Sequence, residues 1–351
     1  MEFQRLDAPY VAPRDSVPVL MRKVLYALVP AVMAHVWFFG PGLVLNILVA
    51  ALFCAGGEAL MMQLRGRKAL PALSDYSALI TAVLIAFALP PLTPWWVTAT
   101  ASLFGIVVAK HLFGGIGFNV FNPAMAGYVA VLVAFPVHLN FWIPPSMGDL
   151  DYQALNIFQS MTFTLTGTLP DGMTFDAISR ATPLDTVKSG LNTMHTFQEI
   201  HANPMMGDFG GVGWEWVSNF VAIGGFWLLS QKVIRWHIPV GVLAGMLIPA
   251  GIMSFLQAGV HPSPGFYLFS GGVMLGAFFV ATDPVTAATS TKGRLVYGLG
   301  IGLFIYCIRR WGSYADGVAF SILLMNMAVP AIDYLTKPRI VGHLKHERET
   351  A

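Results

Sequence analysis

One short run in this chain gathers residue types that could accept a chemical group. Residues 176–183 read Asp-Ala-Ile-Ser-Arg-Ala-Thr-Pro. Thr182 offers a secondary alcohol, and Ala181 leaves room beside it for a bulky donor. Asp176 supplies a carboxylate upstream that could position the donor or help remove a proton. Pro183 biases the threonine towards extended backbone, which keeps its hydroxyl from sinking into a helix. The plain alternative is a capping turn in which Asp176 and Ser179 satisfy local amides, because short motifs match often by accident. What tips the balance is location: the run lies in a polar, acidic stretch set between two blocks of unbroken apolar chain.

Those apolar blocks dominate the composition. With 56% hydrophobic and 11% charged side chains in 351 residues, the chain is too apolar for a soluble domain and is expected to be an all-helical integral membrane protein. Apolar stretches long enough to cross a hydrocarbon core of about 30 Å fall near 22–40, 42–62, 76–90, 95–112, 121–137, 213–231, 238–257, 265–281, 294–309 and 315–335. The first follows Arg22-Lys23 as a signal peptide would, but it lacks a small-residue cleavage site and is expected to be retained. With the N-terminus in the cytoplasm, sixteen of the twenty Lys and Arg residues fall on the inner side, leaving Arg180, Lys188, Arg309 and Arg310 outside. The same count puts both termini in the cytoplasm and the insert, with seven acids against two bases, outside.

The organisation that follows is a five-helix repeat over 1–136, an extracytoplasmic insert over 137–211, a second five-helix repeat over 212–336 and a cytoplasmic tail over 337–351. Five spans per half make the halves face opposite ways, an architecture in which interrupted helices place backbone termini near the midplane. The candidate interruptions are Gly114-Gly-Ile-Gly-Phe-Asn119 with Asn122-Pro123-Ala-Met-Ala-Gly127, and Asp283-Pro284, which could equally be a simple cap after the eighth span. Free amides there would suit an anion, a flavin ring or a coupling ion; close packing of small residues is an equal alternative for the glycines. Arg309 and Arg310, beside Trp311, could hold a phosphate or pair with acids of the insert or of a partner. His35, Glu58, His111 and Glu215 suit a proton or cation path, or simply buried polar packing. The Trp95-Trp96 and Trp214-x-Trp216 pairs read as an interfacial belt. Cys54 and Cys307 are each alone in apolar runs, so the chain cannot build an iron-sulfur or zinc site by itself, and no basic patch for nucleic acid is present.

Asp-x-x-Ser-x-Ala-Thr over 176–182 resembles the recognition motif of flavin transferases that esterify FMN to a threonine. With Phe121-Asn-Pro-Ala and Thr282-Asp-Pro-Val-Thr-Ala in hand, nearly the whole chain resembles the family that holds the D subunit of the Rnf ion-translocating oxidoreductase and, more distantly, the B subunit of the sodium-pumping NADH:quinone oxidoreductase. The resemblance implies a urea-transporter-like helical fold put to electron transfer in the bacterial inner membrane. It implies FMN esterified to Thr182, a second, noncovalent flavin of riboflavin type, and partner subunits carrying iron-sulfur and flavin centres. A flavin transferase would be needed for maturation. Related motifs often have Gly where this chain has Arg180, which would put a cation beside the esterified phosphate. No Gly-x-Gly-x-x-Gly strand-turn-helix accompanies the spans, so electrons would have to arrive from other subunits. The competing reading is a solute transporter or channel of the same fold with no redox function.

Overall fold

A computed structural model describes residues 16–146, 155–170 and 172–337, with the side chain of Asp176 outside the described positions. The basic residues Arg5, Arg14, Arg339, Lys345 and Arg348, and all of the expected tail but Lys337, also lie outside them. Among the described residues the chain is helical, and extended pairing is limited to two isolated bridges, Trp142 with Arg180 and Met206 with Gly211.

Helix occupies all or part of each of the ten apolar stretches. The main elements are α1 (Val17–Phe39), α2 (Gly42–Leu64), α3 (Ser77–Ala88), α4 (Trp95–Leu103), α5 (Pro123–Ala134), α6 (Pro183–Asn192), α7 (Trp214–Ser230), α8 (His237–Leu256), α9 (Pro264–Phe269), α10 (Thr291–Trp311) and α11 (Val318–Leu335). Four of these, α1, α2, α8 and α11, have the length and apolar composition to cross a membrane. They also turn large apolar side chains outward, among them Met33, Trp37, Leu52, Phe255 and Met327. A soluble protein would bury such a surface; a lipid-facing one leaves it bare. The chain is a multi-pass membrane protein.

Local sequence explains most boundaries. Gly40, at φ +78°, ends α1 by donating its N–H to Val36 O at 2.9 Å, and Pro41 prevents continuation. Leu89-Pro90-Pro91 stops α3, since a residue before proline is driven out of the helical region. Asn122 caps α5 by accepting from the N–H groups of Ala124 and Met125, with Pro123 in the first helical position. The stretch 112–122 before it is loop, and Gly127 packs directly on the Ala101 carbonyl. Close packing, the alternative weighed for these small residues, therefore accounts for Gly127.

Two of the expected spans, the fourth and the Gly- and Pro-bearing eighth, are not plain α-helix. α4 runs into a π-helix over Phe104–His111, a form rare enough to mark a local constraint. The eighth stretch, 265–281, is broken: α9 ends at Ser270-Gly271-Gly272, and the chain resumes as a single turn, Val273–Leu275, and a π-helix, Gly276–Val280. Gly271 takes φ +67°, where any side chain would be strained.

The two halves meet where α1 packs on α7 and α5 packs on α11, and one apolar core, including Leu28, Ile85, Phe278 and Tyr297, runs through both. Within the halves α2 packs on α3 and α4, and α8 packs on α10. The α8–α10 contact is backbone on backbone: a Cβ at Gly298 would lie 2.6 Å from Ile238 O and 3.0 Å from Gly241 Cα. In lipid such small-residue contacts replace the hydrophobic drive as the source of helix association.

The stretch 137–211 docks on one end of this bundle through two small apolar clusters. Leu155, Phe163 and Ile178 pack with Phe38 and Phe39 at the end of α1; Leu184, Val187, Ile200 and Met206 pack with Phe266 of α9. The second cluster holds α6, and with it the preceding Thr182, against the broken eighth stretch.

Candidate functional site

Thr182 is the N-cap of α6, in extended conformation with Pro183 at the first helical position. Its backbone agrees with the expected effect of Pro183. Its setting does not agree with an exposed loop, for the residue is half-buried and its hydroxyl is engaged twice. Oγ1 accepts from the Asp185 N–H at 3.2 Å and donates to Asp185 Oδ2 at 2.6 Å. Thr182 itself caps α6, while the capping role weighed for Asp176 falls outside the described side chains. Ser179 is half-buried, its carbonyl accepting from Arg180 Nη1 at 3.0 Å; Arg180 is exposed and its N–H donates to Trp142 O at 2.9 Å. Ala181 is exposed beside the hydroxyl.

Thr182 and Asp185 stand on the wall of a cavity of about 200 Å³. The rest of the wall comes from both halves of the bundle: His35 of α1, Tyr128 of α5, Trp214 and Ser218 of α7, the break at Ser270 to Gly272, and Asp316 before α11. Trp214 is packed against Phe39 and Trp142, with ring centroids 4.6 and 4.8 Å away. It is part of this wall, held there by two aromatic neighbours. Two polar atoms in the wall are buried with no hydrogen-bond partner, His35 Nδ1 and Ser270 Oγ. Buried polar atoms are nearly always satisfied, so a pair of orphans in one mainly apolar cavity fits a ligand with hydrogen-bonding edges.

Arg309 and Arg310 do not line that cavity. Arg309 is buried, donating to Tyr267 O at 2.8 Å and Ser270 O at 2.9 Å and pairing with Asp316 Oδ1 at 3.0 Å. Asp316 Oδ2 in turn accepts from Gly272 N at 2.7 Å. The guanidinium and carboxylate together take over carbonyl and N–H groups left unpaired where the eighth stretch breaks. Arg309 is therefore occupied with the break and unavailable to a phosphate at Thr182. Arg310 is half-buried and faces the far end of α6, near Lys188 and Asn192. Lys188 donates to Tyr314 O and, at 3.3 Å, to Ile308 O. Burial pulls its ammonium below the usual lysine range, and the Asp185 carboxylate opposes that shift.

Asn122 and Asp283 belong to a separate, largely buried network, and the remaining candidates lie outside it. The Asn122 N–H donates to Asn326 Oδ1 of α11 at 3.2 Å, and Asn326 Nδ2 donates to Thr286 O at 3.1 Å and Tyr297 OH at 2.8 Å. Thr286 Oγ1 donates to Asp283 Oδ2 at 3.0 Å, and Asp283 Oδ1 accepts from Val285 N at 3.2 Å. Asn326, which sequence reading missed, thus ties the Asn122 end of one half to the Asp283 turn of the other. Asn119 is buried and turned back on Phe121 O at 3.2 Å. Glu58 is clamped by Lys110, both carboxylate oxygens lying 2.7 Å from Nζ, with His111 Nε2 3.6 Å from Oε1. Glu215 accepts from Phe209 and Gly210 N–H groups in a local turn.

The arrangement is that of a polytopic helical membrane protein with a hydroxyl-bearing loop helix set over a two-sided cavity. Residues 5–342 match the NQR2, RnfD, RnfE family, and the chain belongs to it. It is 45% identical over 352 residues to the D subunit of the ion-translocating oxidoreductase complex of Aliivibrio salmonicida, covering 98% of this chain and 100% of that one. It is 44% identical to the same subunit of Vibrio cholerae over 350 residues, again covering 98% and 100%, and 44% identical to that of Aeromonas hydrophila over 347 residues, covering 97% and 99%.

Proposed function

We propose that this chain is the flavin-carrying membrane subunit of a complex that couples electron transfer to ion translocation, with FMN esterified through its phosphate to Thr182. The observation that carries the reading is the placement of Thr182 among the residues lining a cavity whose only orphaned buried side-chain atoms among the described residues, His35 Nδ1 and Ser270 Oγ, could meet a heterocycle's edge. Membership of the NQR2, RnfD, RnfE family and the relatives' place as D subunits of an ion-translocating oxidoreductase complex support the coupling of electron transfer to ion translocation. FMN supplies the electron-accepting and electron-donating chemistry. Thr182 would anchor the phosphate, Trp214 and Tyr128 would be available to the ring from the cavity wall, and the apolar lining would exclude water. Iron-sulfur and flavin centres on neighbouring subunits complete the electron path, and a flavin transferase loads the site. A denaturing gel of the purified chain tests the class of function: a fluorescent flavin band is expected, and a dark band would leave the solute-transporter reading in its place.

For such a transferase to reach Thr182 on the far side of the inner membrane, the insert must be extracytoplasmic and both termini cytoplasmic. In a background without Cys54 and Cys307, Met194→Cys, at a fully exposed insert position, is expected to react with an impermeant thiol reagent added from outside. Arg67→Cys, exposed beyond α2, is expected to react only after the membrane is opened. Reversed labelling would overturn the orientation.

Coupling requires a site whose ion affinity changes with the flavin's redox state. The network joining Asn122, Asn326 and Asp283 is the proposed place for a sodium ion or proton, and its amides also suit the noncovalent flavin of the family. With Asp283→Asn, vesicles carrying the whole complex are expected to keep electron flow and lose most ion uptake per electron. Unchanged uptake at normal electron flow would remove Asp283 from the coupling path.

A further inference from the structure

We infer that Asp185 is the general base for flavin attachment at Thr182, a role that rests on the reading of Thr182 as the acceptor. The stretch 137–211 itself supplies the comparison. It contains two capping boxes of ordinary form, Asn156 with Gln159 and Thr196 with Glu199. In each the side chain three residues on turns back to the backbone N–H of the cap, at 3.0 Å for Gln159 and 2.8 Å for Glu199, which is the standard reciprocal arrangement. Thr182 and Asp185 have the same spacing and the same first half, the Asp185 N–H on Thr182 Oγ1. The second half differs. Asp185 Oδ2 takes the hydroxyl hydrogen of Thr182 at 2.6 Å. A capping carboxylate has no need of that hydrogen; a base for the hydroxyl must hold it.

The step balances on these groups and one donor. Thr182 Oγ1 attacks the flavin-side phosphorus of an activated flavin phosphate, one whose phosphorus sits in an anhydride and which the transferase presents. The Oγ1–P bond forms, the anhydride P–O bond breaks, and the distal phosphate leaves with the electron pair. The hydroxyl proton passes to Asp185 Oδ2, its hydrogen-bond partner in the waiting state. Asp185 and Thr182 both line the cavity, so a donor seated in it would meet both residues. The neighbouring ionisable groups whose side chains are described are Lys188 one turn further along α6, and His35, Tyr128, Tyr314 and Asp316 elsewhere on the cavity wall. Lys188 is tied to the Ile308 and Tyr314 carbonyls, and among the described side chains it is Asp185 that holds the Thr182 hydroxyl hydrogen.

Asp185→Asn tests the assignment, because asparagine Oδ1 can still accept the hydroxyl hydrogen bond but cannot take the proton. Purified chain is incubated with transferase and flavin donor, and covalent incorporation is followed on denaturing gels. The expected result for Asp185→Asn is a kcat lower by roughly 10²-fold, the usual scale of a lost general base, with the KM for the protein substrate unchanged. Asp185→Glu, which returns a carboxylate, is expected to recover most of the rate. A rate for Asp185→Asn equal to that of the unaltered chain overturns the inference, as does a loss expressed in KM alone. If Asp185→Asn does not accumulate, Asp185→Glu decides: incorporation within a few-fold of normal supports the base, and none overturns it. Thr182→Val separates this from the underlying reading, since flavin retained there would sink the acceptor assignment whatever Asp185 does.

Discussion

Thr182→Val is expected to accumulate in the membrane at normal levels and to carry no covalent flavin. The isostere removes the only atom that could bear the ester while keeping the β-branched shape that fits the extended cap position. Its folding cost is the lost cap, about 1 kcal/mol for a substituted threonine. Thr182→Ser keeps both the nucleophile and the cap and should be loaded at a reduced rate, through the looser placement of its hydroxyl. The check is flavin fluorescence on a denaturing gel, with the unaltered chain beside it. Fluorescence persisting in Thr182→Val would place the flavin on another residue and detach the cavity from the proposed function.

Arg309→Leu is expected to be the most damaging single change to the fold near the site. It leaves the carbonyls of Tyr267 and Ser270 without their donors and Asp316 without its cation, all at the break that forms one wall of the cavity. Breaking a buried ion pair from one side costs roughly 3–5 kcal/mol, and Asp316 keeps some solvent at 30% side-chain exposure, so the lower end of that range applies. A protein of ordinary stability loses much of its margin to such a change. The expected readout is poor accumulation, or a clearly lowered unfolding temperature in detergent, whereas Arg310→Leu, at a half-buried position outside the cavity, should behave almost normally. Equal thermal stability of the two variants would show that the Arg309–Asp316 pair does not hold the break.

Much of this was legible in the residues. Uninterrupted apolar runs with Gly and Pro at their ends located the helices, because in lipid the backbone must satisfy itself within each span. The eighth stretch stands out by its Gly and Pro residues, but the position of its break at Ser270-Gly271-Gly272 has no local signal, because it is stabilised by residues far away in sequence: Asp316 stands 44 positions from Gly272, and Arg309 39 from Ser270. Arg309 and Arg310 drew attention as basic residues on the wrong side, but a charge count cannot tell a guanidinium free for phosphate from one spent on carbonyls. Trp214 resembles any interfacial tryptophan until Phe39 and Trp142 are seen against it. Asp185 was within reach, since Thr-Pro-x-Asp is a helix-start pattern; what the pattern does not carry is the direction of the second hydrogen bond. Asn326 carries no local signal, because its partners come from both halves of the chain.

The esterified residue can be identified directly in the unaltered protein. Trypsin should cut after Arg180 and Lys188 and release residues 181–188, Ala-Thr-Pro-Leu-Asp-Thr-Val-Lys. Mass spectrometry of a digest from the native complex is expected to find this peptide carrying one FMN phosphoester, with fragmentation placing it on Thr182 and leaving Thr186 bare. A peptide found only at its unmodified mass, or one with the flavin on Thr186, would contradict the account.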